Sequence, residues 1–452
     1  MELSLNNYVN FLSLEGSLWG WLVMSVLLIL VAQFRPFLVV ALMSFYPTVL
    51  WSASWKPFVT LYPTYSLMLF FFVKHIKDVF VALFEFRYGI AVWLSLIIVT
   101  WSFMSPVFYS DSYGKSILFS MNPNYQRGLS NLFLLIIIPT LVKKREDIRR
   151  FFVSSAHVLM FTHVVLTVAA VFFLLAGNPL YELHLMRFLN TPPVFWESGL
   201  LVLLLAYFLV NRKMSAGLLI IFCILALFGL VLGNSRTRFL ATFLCGIYFI
   251  YPYINVRIVV WTSVLTILIL SSLVALPGVE GYFSKLIDQR VEQSVGKSFS
   301  EMSSGRVTAY DYAYKRWQEK PLLGVGSCYI FPKADLINKR TSSARVHNYY
   351  LEVLAGQGVA GFFLLVVVLG ICLVMILKIV FSKADAVMDG RMLVALFMYG
   401  TINWMFKESW GITYSIIALL SVYGKSSESG LPSPDEELFG TATELTVSHG
   451  VN

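Results

Sequence analysis

Residues 359–380 read VAGFFLLVVVLGICLVMILKIV, with Lys378 the one charged position. An α-helix needs about 17 to 25 apolar residues to cross the hydrocarbon of a bilayer, so this stretch predicts a membrane span. Working outward, comparable runs occupy 17–33, 36–53, 57–73, 89–107, 129–142, 152–176, 194–210, 216–233, 239–255, 258–276, 390–406 and 411–424. Hydrophobic residues make up 58% of the 452-residue chain and charged residues only 13%, well under the roughly 25% of soluble domains. The expected fold is an all-α polytopic membrane protein of about 12–13 transmembrane helices, because in lipid the backbone polar groups find partners only within a helix or a closed barrel. Pro47, Pro57 and Pro63, with Lys56, interrupt the second and third runs. A hairpin of two short helices and a single kinked crossing both suit that region.

Short basic loops stay in the cytoplasm. KKREDIRR at 143–150 is the clearest of them, and NRK at 211–213 and the run ending at Lys383 agree with it. Alternation from these anchors puts the connections at 108–128, 177–193, 234–238 and 276–352 outside and the C-terminal tail inside. The N-terminal stretch MELSLNNYVNFLSLEGS then comes out external, which suits its lack of Lys and Arg. No cleavable signal peptide is evident, since no basic segment precedes the first apolar run. The expected organisation is an N-terminal transmembrane bundle (1–275), a large folded external loop (276–352), C-terminal transmembrane helices (353–424) and a polar, disordered cytoplasmic tail (425–452).

The net charge of +9 is partly this cytoplasmic bias. Between Pro277 and Val346, however, eleven basic residues stand against seven acidic ones, and that excess runs against the positive-inside rule. A basic surface outside the membrane points to an anionic ligand, phosphate first; a nucleic-acid partner is not expected. Cys223, Cys245 and Cys372 fall within apolar runs and Cys328 stands alone in the loop, so no disulfide framework is expected. The sequence holds no CxxC pair, no glycine-rich nucleotide cradle and no His and carboxylate cluster at ligand spacing. Neither a metal nor a cofactor is expected.

The external loop carries structure of its own. In SSGRVTAYDYAYKRWQEKPLLGVGSCYIF (303–331) the Ala and aromatic spacing predicts a helix between Arg306 and Trp317, closed by a tight turn at Pro321, Gly324 and Gly326. The chain returns through ARVHNYYLEVLAGQGVAG (344–361), where His347 to Leu354 predicts one helix ahead of the glycines and the span from Val359. That places His347 near the membrane surface.

The pattern SGRxxxxxxAxxxWxxxPLLGVG followed by HNYYLEVLAGQGVAG resembles the O-antigen ligase and O-antigen polymerase superfamily, GT-C-like integral membrane glycosyltransferases. GNSRTRFLATFL at 233–244 and MRFLNTPPVFWESG at 186–199 are similar to two further pieces of the family. The resemblance implies an active site on the periplasmic face of the bacterial inner membrane and an undecaprenyl-diphosphate-linked glycan donor. It implies an acceptor sugar on a lipid-linked repeat or on lipid A core, with membrane lipids and a chain-length regulator as further partners. Arg236 and Arg306 match the family's essential arginines and His347 its essential histidine. Arg187 is a lesser match, since its turn lacks the glycine that follows the arginine in many members.

Elementary chemistry gives those residue types a reason. A sugar bonded to diphosphate already has a good leaving group, so cations that hold and neutralise the departing diphosphate are the main requirement. Arginine forks bind phosphate oxygens in pairs and keep their charge, which lets them stand in for a metal. The attacking sugar hydroxyl is weakly acidic, and histidine titrates in the right range to be its base. Arg187, Arg236 and Arg306 are therefore expected to clamp the diphosphate and His347 to deprotonate the acceptor, with one displacement inverting the anomeric carbon. Arg345, Asn348, Tyr349 and Tyr350 are candidate substrate contacts. Bland roles compete: arginines anchor loops to lipid head groups, Arg345 suits a merely basic surface, and tyrosines are common at membrane interfaces.

His347-Asn348, nine residues and then Gly358 to Gly361 fits the ligase pattern, whereas Arg345, ten residues and then Gly356 fits the polymerase pattern. The sizeable basic loop, able to hold two diphosphate-linked substrates, tips the reading to polymerase. A protein O-oligosaccharyltransferase is a third option. A transporter of lipid-linked oligosaccharide would carry ionisable groups at mid-membrane depth and repeated halves; few such charges and no internal repeat are evident, and a purely structural scaffold has less support still. His157 and His163, within the 152–176 run, suit buried structural roles better than a proton relay. Glu197, Lys407 and Glu408 fall near external ends, where capping is as good a reading as lining the site.

Overall fold

The computed structural model describes residues 14–45, 62–84, 89–109, 123–175, 198–211, 215–232, 236–253, 306–326, 346, 348–381, 387–406 and 411–428. Among these residues the protein is wholly helical, with thirteen α-helices and one 3-10 turn. In chain order they are α1 (Leu14–Phe34), α2 (Pro36–Phe45), α3 (Tyr62–Phe84), α4 (Gly89–Tyr109), α5 (Pro123–Leu141), α6 (Arg145–Leu175) and α7 (Ser198–Val210). There follow α8 (Ala216–Leu232), α9 (Arg236–Ile250), α10 (Arg306–Glu319), α11 (Tyr349–Phe381), α12 (Val387–Phe406) and α13 (Gly411–Glu428). Of the described helices α11 is the one long and apolar enough to cross a membrane, and eight shorter apolar stretches lie in the others.

The apolar runs fall on these helices with differences at their ends. The second run lies on α2 as far as Phe45, and its remainder to residue 53 lies outside the described residues. The third shifts C-terminally: α3 continues to Phe84 and kinks at His75, whose φ of −111° and ψ of 15° lie outside the helical region. At the C-terminus α13 runs on through Glu428, past the expected end of the last span. The run at 258–276, much of the 276–352 loop and the tail from 429 lie outside the described residues.

One apolar core joins the bundle, with Trp404, Tyr414, Phe71, Phe151 and Phe152 among its fully buried side chains. The basic motif at 143–150 opens α6: the Asp147 carboxylate accepts the backbone N–H groups of Lys143 and Lys144 at 3.0 Å each. Acidic residues in a first turn also oppose the positive end of the helix dipole. Arg149 Nε donates to Asp389 at 2.7 Å and the Tyr207 hydroxyl donates to the same carboxylate at 2.5 Å. Nearby, Arg391 stacks on Tyr248, 4.9 Å from its centroid, and Arg145 on Tyr423 at 5.0 Å. These contacts gather α6, α7, α9, α12 and α13 at one basic end, and the site described next lies at the other.

Candidate active site

The start of α11 is set by an N-cap. Asn348 Oδ1 accepts the Leu351 N–H at 3.1 Å, and the Asn348 carbonyl accepts the first ladder bond, from Glu352 N–H, at 2.9 Å. His347 is therefore the residue immediately before a fixed cap. Tyr349 is buried, its ring centroid 4.6 Å from that of Trp404 and its hydroxyl hydrogen-bonded to Tyr414. Tyr350 donates to the Thr401 carbonyl at 3.4 Å and meets Trp404 edge-on at 6.3 Å. The two tyrosines pin α11 to α12 and α13, with both hydroxyls engaged inside the protein.

Less than three turns further on, the α11 ladder breaks. In a regular helix Val359 N–H would bond the Ala355 carbonyl, and Ala360 N–H the Gly356 carbonyl. At Gly358 the backbone instead adopts φ 67° and ψ −165°, a combination essentially confined to glycine. Val359 N–H donates to the Pro321 carbonyl at 2.8 Å and Ala360 N–H to the Leu322 carbonyl at 3.1 Å. The two stranded carbonyls, Ala355 and Gly356, accept from Val325 N–H at 2.9 Å and Gly326 N–H at 2.8 Å. These four groups are thus paired with the turn that follows α10, which removes the penalty of stranding them.

That turn is glycine-dependent too. Gly324 has φ 71° and Gly326 φ 90°. A Cβ on Gly324 would run into the backbone of Gly356 and Gln357, and one on Gly358 into the backbone of Leu322. Beside the clasp, Ala309, Ala313, Val325, Val346 and Ala355 form a small buried cluster, and Trp317 Nε1 donates to the Pro321 carbonyl at 3.1 Å. Ala309 lies within a turn of the start of α10 and Val346 two residues before the Asn348 cap, so the cluster packs the beginnings of α10 and α11 into one patch. Gln357, also buried, donates from Nε2 to the Ile98 carbonyl at 3.1 Å and fastens the break to α4.

The register of α9 follows from its neighbours. Arg391 donates to the Tyr248 carbonyl at 2.9 Å, and a Cβ on Gly199 would overlap both Thr242 and Tyr399. Residues 248 and 242 of α9 are therefore level with 391 and about 399 of α12, and the two helices run antiparallel. At 1.5 Å per residue, Arg236 lies about 9 Å beyond Thr242, roughly level with Trp404, against which Tyr349 packs. Arg236 thus begins α9 at the height where α11 begins.

Residues 221–366 match the family model for O-antigen ligases. The chain carries an O-antigen ligase family domain. This supports the O-antigen ligase and polymerase superfamily, and no curated protein matches the chain. The matched segment contains Arg236, Arg306, Arg345, His347, Asn348, Tyr349, Tyr350 and both halves of the clasp; Arg187 precedes it.

Within the O-antigen ligase domain, Arg236 is the first residue of α9, Arg306 the first of α10, and His347 the residue before the cap of α11. Helix N-termini present unpaired N–H groups and about half a positive charge, so the backbone itself favours an anion at the starts of α9 and α10. The side chains of Arg236 and Arg306 lie outside the described residues, as do Arg187, Arg345 and His347 entirely, along with Glu197, Cys328, Lys407 and Glu408. His163 is fully buried, its Nδ1 2.7 Å from the Leu159 carbonyl and Nε2 2.8 Å from Ser198 Oγ, in keeping with a structural role. His157 was expected to be buried and is exposed. The sequence reading passed over Arg238, whose side chain is buried in α9 two residues after Arg236; its one signal was a charge inside an apolar helix, where burial is expensive.

Proposed function

We propose that this protein is a polytopic glycosyltransferase of the bacterial inner membrane, with about 12–13 spans and its active site on the periplasmic face. It transfers a glycan from an undecaprenyl-diphosphate donor to an acceptor sugar hydroxyl, without a metal and with inversion. The observation that carries this reading is that Arg236, Arg306 and His347 all fall within the matched segment 221–366 and all stand at the N-terminal ends of helices. The basic end of the bundle is assigned to the cytoplasm by the positive-inside rule, which turns the opposite end, with these three positions, outward.

In the proposed step the acceptor oxygen attacks the anomeric carbon as the carbon–oxygen bond to diphosphate breaks. The acceptor proton passes to His347. Charge accumulating on the diphosphate is met by Arg236 and Arg306, assisted by Arg187, and by the N-terminal dipoles of α9 and α10. Polymerisation of lipid-linked repeats is the leading form of the reaction, because the basic 276–352 loop is large enough to hold two diphosphate-linked substrates. Ligation to lipid A core is the second form, favoured by the description of the matched family and by the spacing from His347 to the Gly358–Gly361 stretch.

The test incubates the purified protein with polyprenyl-diphosphate-linked repeats, with and without lipid A core, and without added divalent metal. Ladders from repeats alone identify a polymerase, and product only with core identifies a ligase. His347→Ala is expected to abolish transfer while leaving protein level and donor binding near wild type; retained transfer would reject the base role.

A further inference from the structure

The clasp between the turn at 321–326 and the break at 355–360 does more than close a loop. Its four backbone hydrogen bonds are the described polar link between α10, which Arg306 begins, and α11, which His347 precedes. Side chains add the small cluster of alanines and valines beside it, with Tyr310, Tyr312, Trp317 and Leu351 packed against it. The link is also replaceable. Once the turn withdraws, Val359 and Ala360 N–H can bond the Ala355 and Gly356 carbonyls one helical turn back, and the turn's own groups can bond water. Releasing the clasp therefore strands no polar group of α11, so it contributes little to keeping the bundle folded. Evolution of a strained glycine at 358, in a conformation closed to other residues, is then hard to account for by stability.

We infer that Gly358 and Gly324 are positioning residues: the clasp they permit sets the spacing between the start of α10 at Arg306 and the cap of α11 at Asn348, and so between the proposed diphosphate clamp and the proposed acceptor base. This rests on the glycosyl-transfer reading above. Misplacing one of two cooperating groups by about 1 Å lowers the rate of a reaction on the order of 100-fold, without a matching loss of whatever affinity the other arginines supply.

The experiment compares wild type, Gly358→Ala and Gly370→Ala in transfer from a polyprenyl-diphosphate-linked repeat, together with amide hydrogen exchange of the same proteins in lipid nanodiscs. A Cβ at Gly370 meets nothing within 4 Å, so Gly370→Ala is the matched control in the same helix. For Gly358→Ala the expected result is a kcat lowered about 100-fold with the donor KM within about threefold of wild type. The amides of Val325 and Gly326 should exchange rapidly while those of Val359 and Ala360 stay protected by the healed ladder. Gly324→Ala, altered in the turn after α10 rather than within α11, should give the same pattern and stands in if Gly358→Ala misfolds. Freed Val325 and Gly326 amides with wild-type kcat would overturn the inference, as would a loss confined to KM. A wild type inactive on authentic donor would remove the glycosyl-transfer reading itself, a result distinct from an active wild type with active clasp variants.

Discussion

At the basic end of the bundle, Arg149 and Tyr207 converge through side chains on Asp389, a carboxylate only 4% exposed. At the site end, residues 321–326 and 355–360 are hydrogen-bonded through backbone groups, with glycines at 324 and 358 where a Cβ would intrude. The two devices fail differently. Loss of Arg149 leaves a buried negative charge without the cation that pairs with it, while Arg391 and Arg145 are engaged on Tyr248 and Tyr423. Loss of the clasp lets α11 repair its own ladder. The first device therefore holds the fold together, whereas the second fixes a geometry that the fold survives without.

That contrast is open to direct attack. The largest expected change in stability is for Arg149→Ala, which should destabilise the protein by about 3 kcal/mol, the low end of the range for broken buried pairs because Arg149 itself is half exposed. Thermal unfolding in detergent measures it, and an unchanged midpoint would show that the Asp389 cluster is ornamental. Tyr207→Phe removes one hydrogen bond to the same carboxylate and should cost about 1–2 kcal/mol, with transfer per folded molecule unaltered. A fall in transfer larger than the fall in folded protein would mean that the basic end is coupled to the site. Smallest is Gly370→Ala, at an open position within α11; its thermal midpoint should stay level or rise slightly, since alanine is the better helix former. A clear loss there would show that α11 tolerates no change, and the specificity claimed for Gly358 would fail.

Much of the site's scaffold was legible from residues close together in sequence. The alanine and aromatic spacing from Arg306 to Trp317 predicted α10, and Pro321, Gly324 and Gly326 predicted its closing turn. The glycines of LAGQGVAG marked a boundary correctly but for an incomplete reason. They were read as the gap between two helices, whereas α11 continues through them with a single break at Gly358. The partners that explain the break, Pro321 and Leu322, lie in another element, and backbone pairing leaves no side-chain pattern to announce it. Asp389 was equally invisible: its partners Arg149 and Tyr207 come from helices remote in sequence.

By itself the sequence determined the helical class, the apolar runs, the basic motif at 143–150 and the family pattern around Arg306 and His347, because each is written in local composition or short spacing. Only the tertiary structure decided that α9 and α11 begin at one height, that Asp389 joins three helices, and that α11 exchanges two of its own hydrogen bonds for four with a distant turn. Those outcomes depend on which backbone groups and buried charges find partners once the helices pack, and that pairing is settled across hundreds of residues rather than within any window of them.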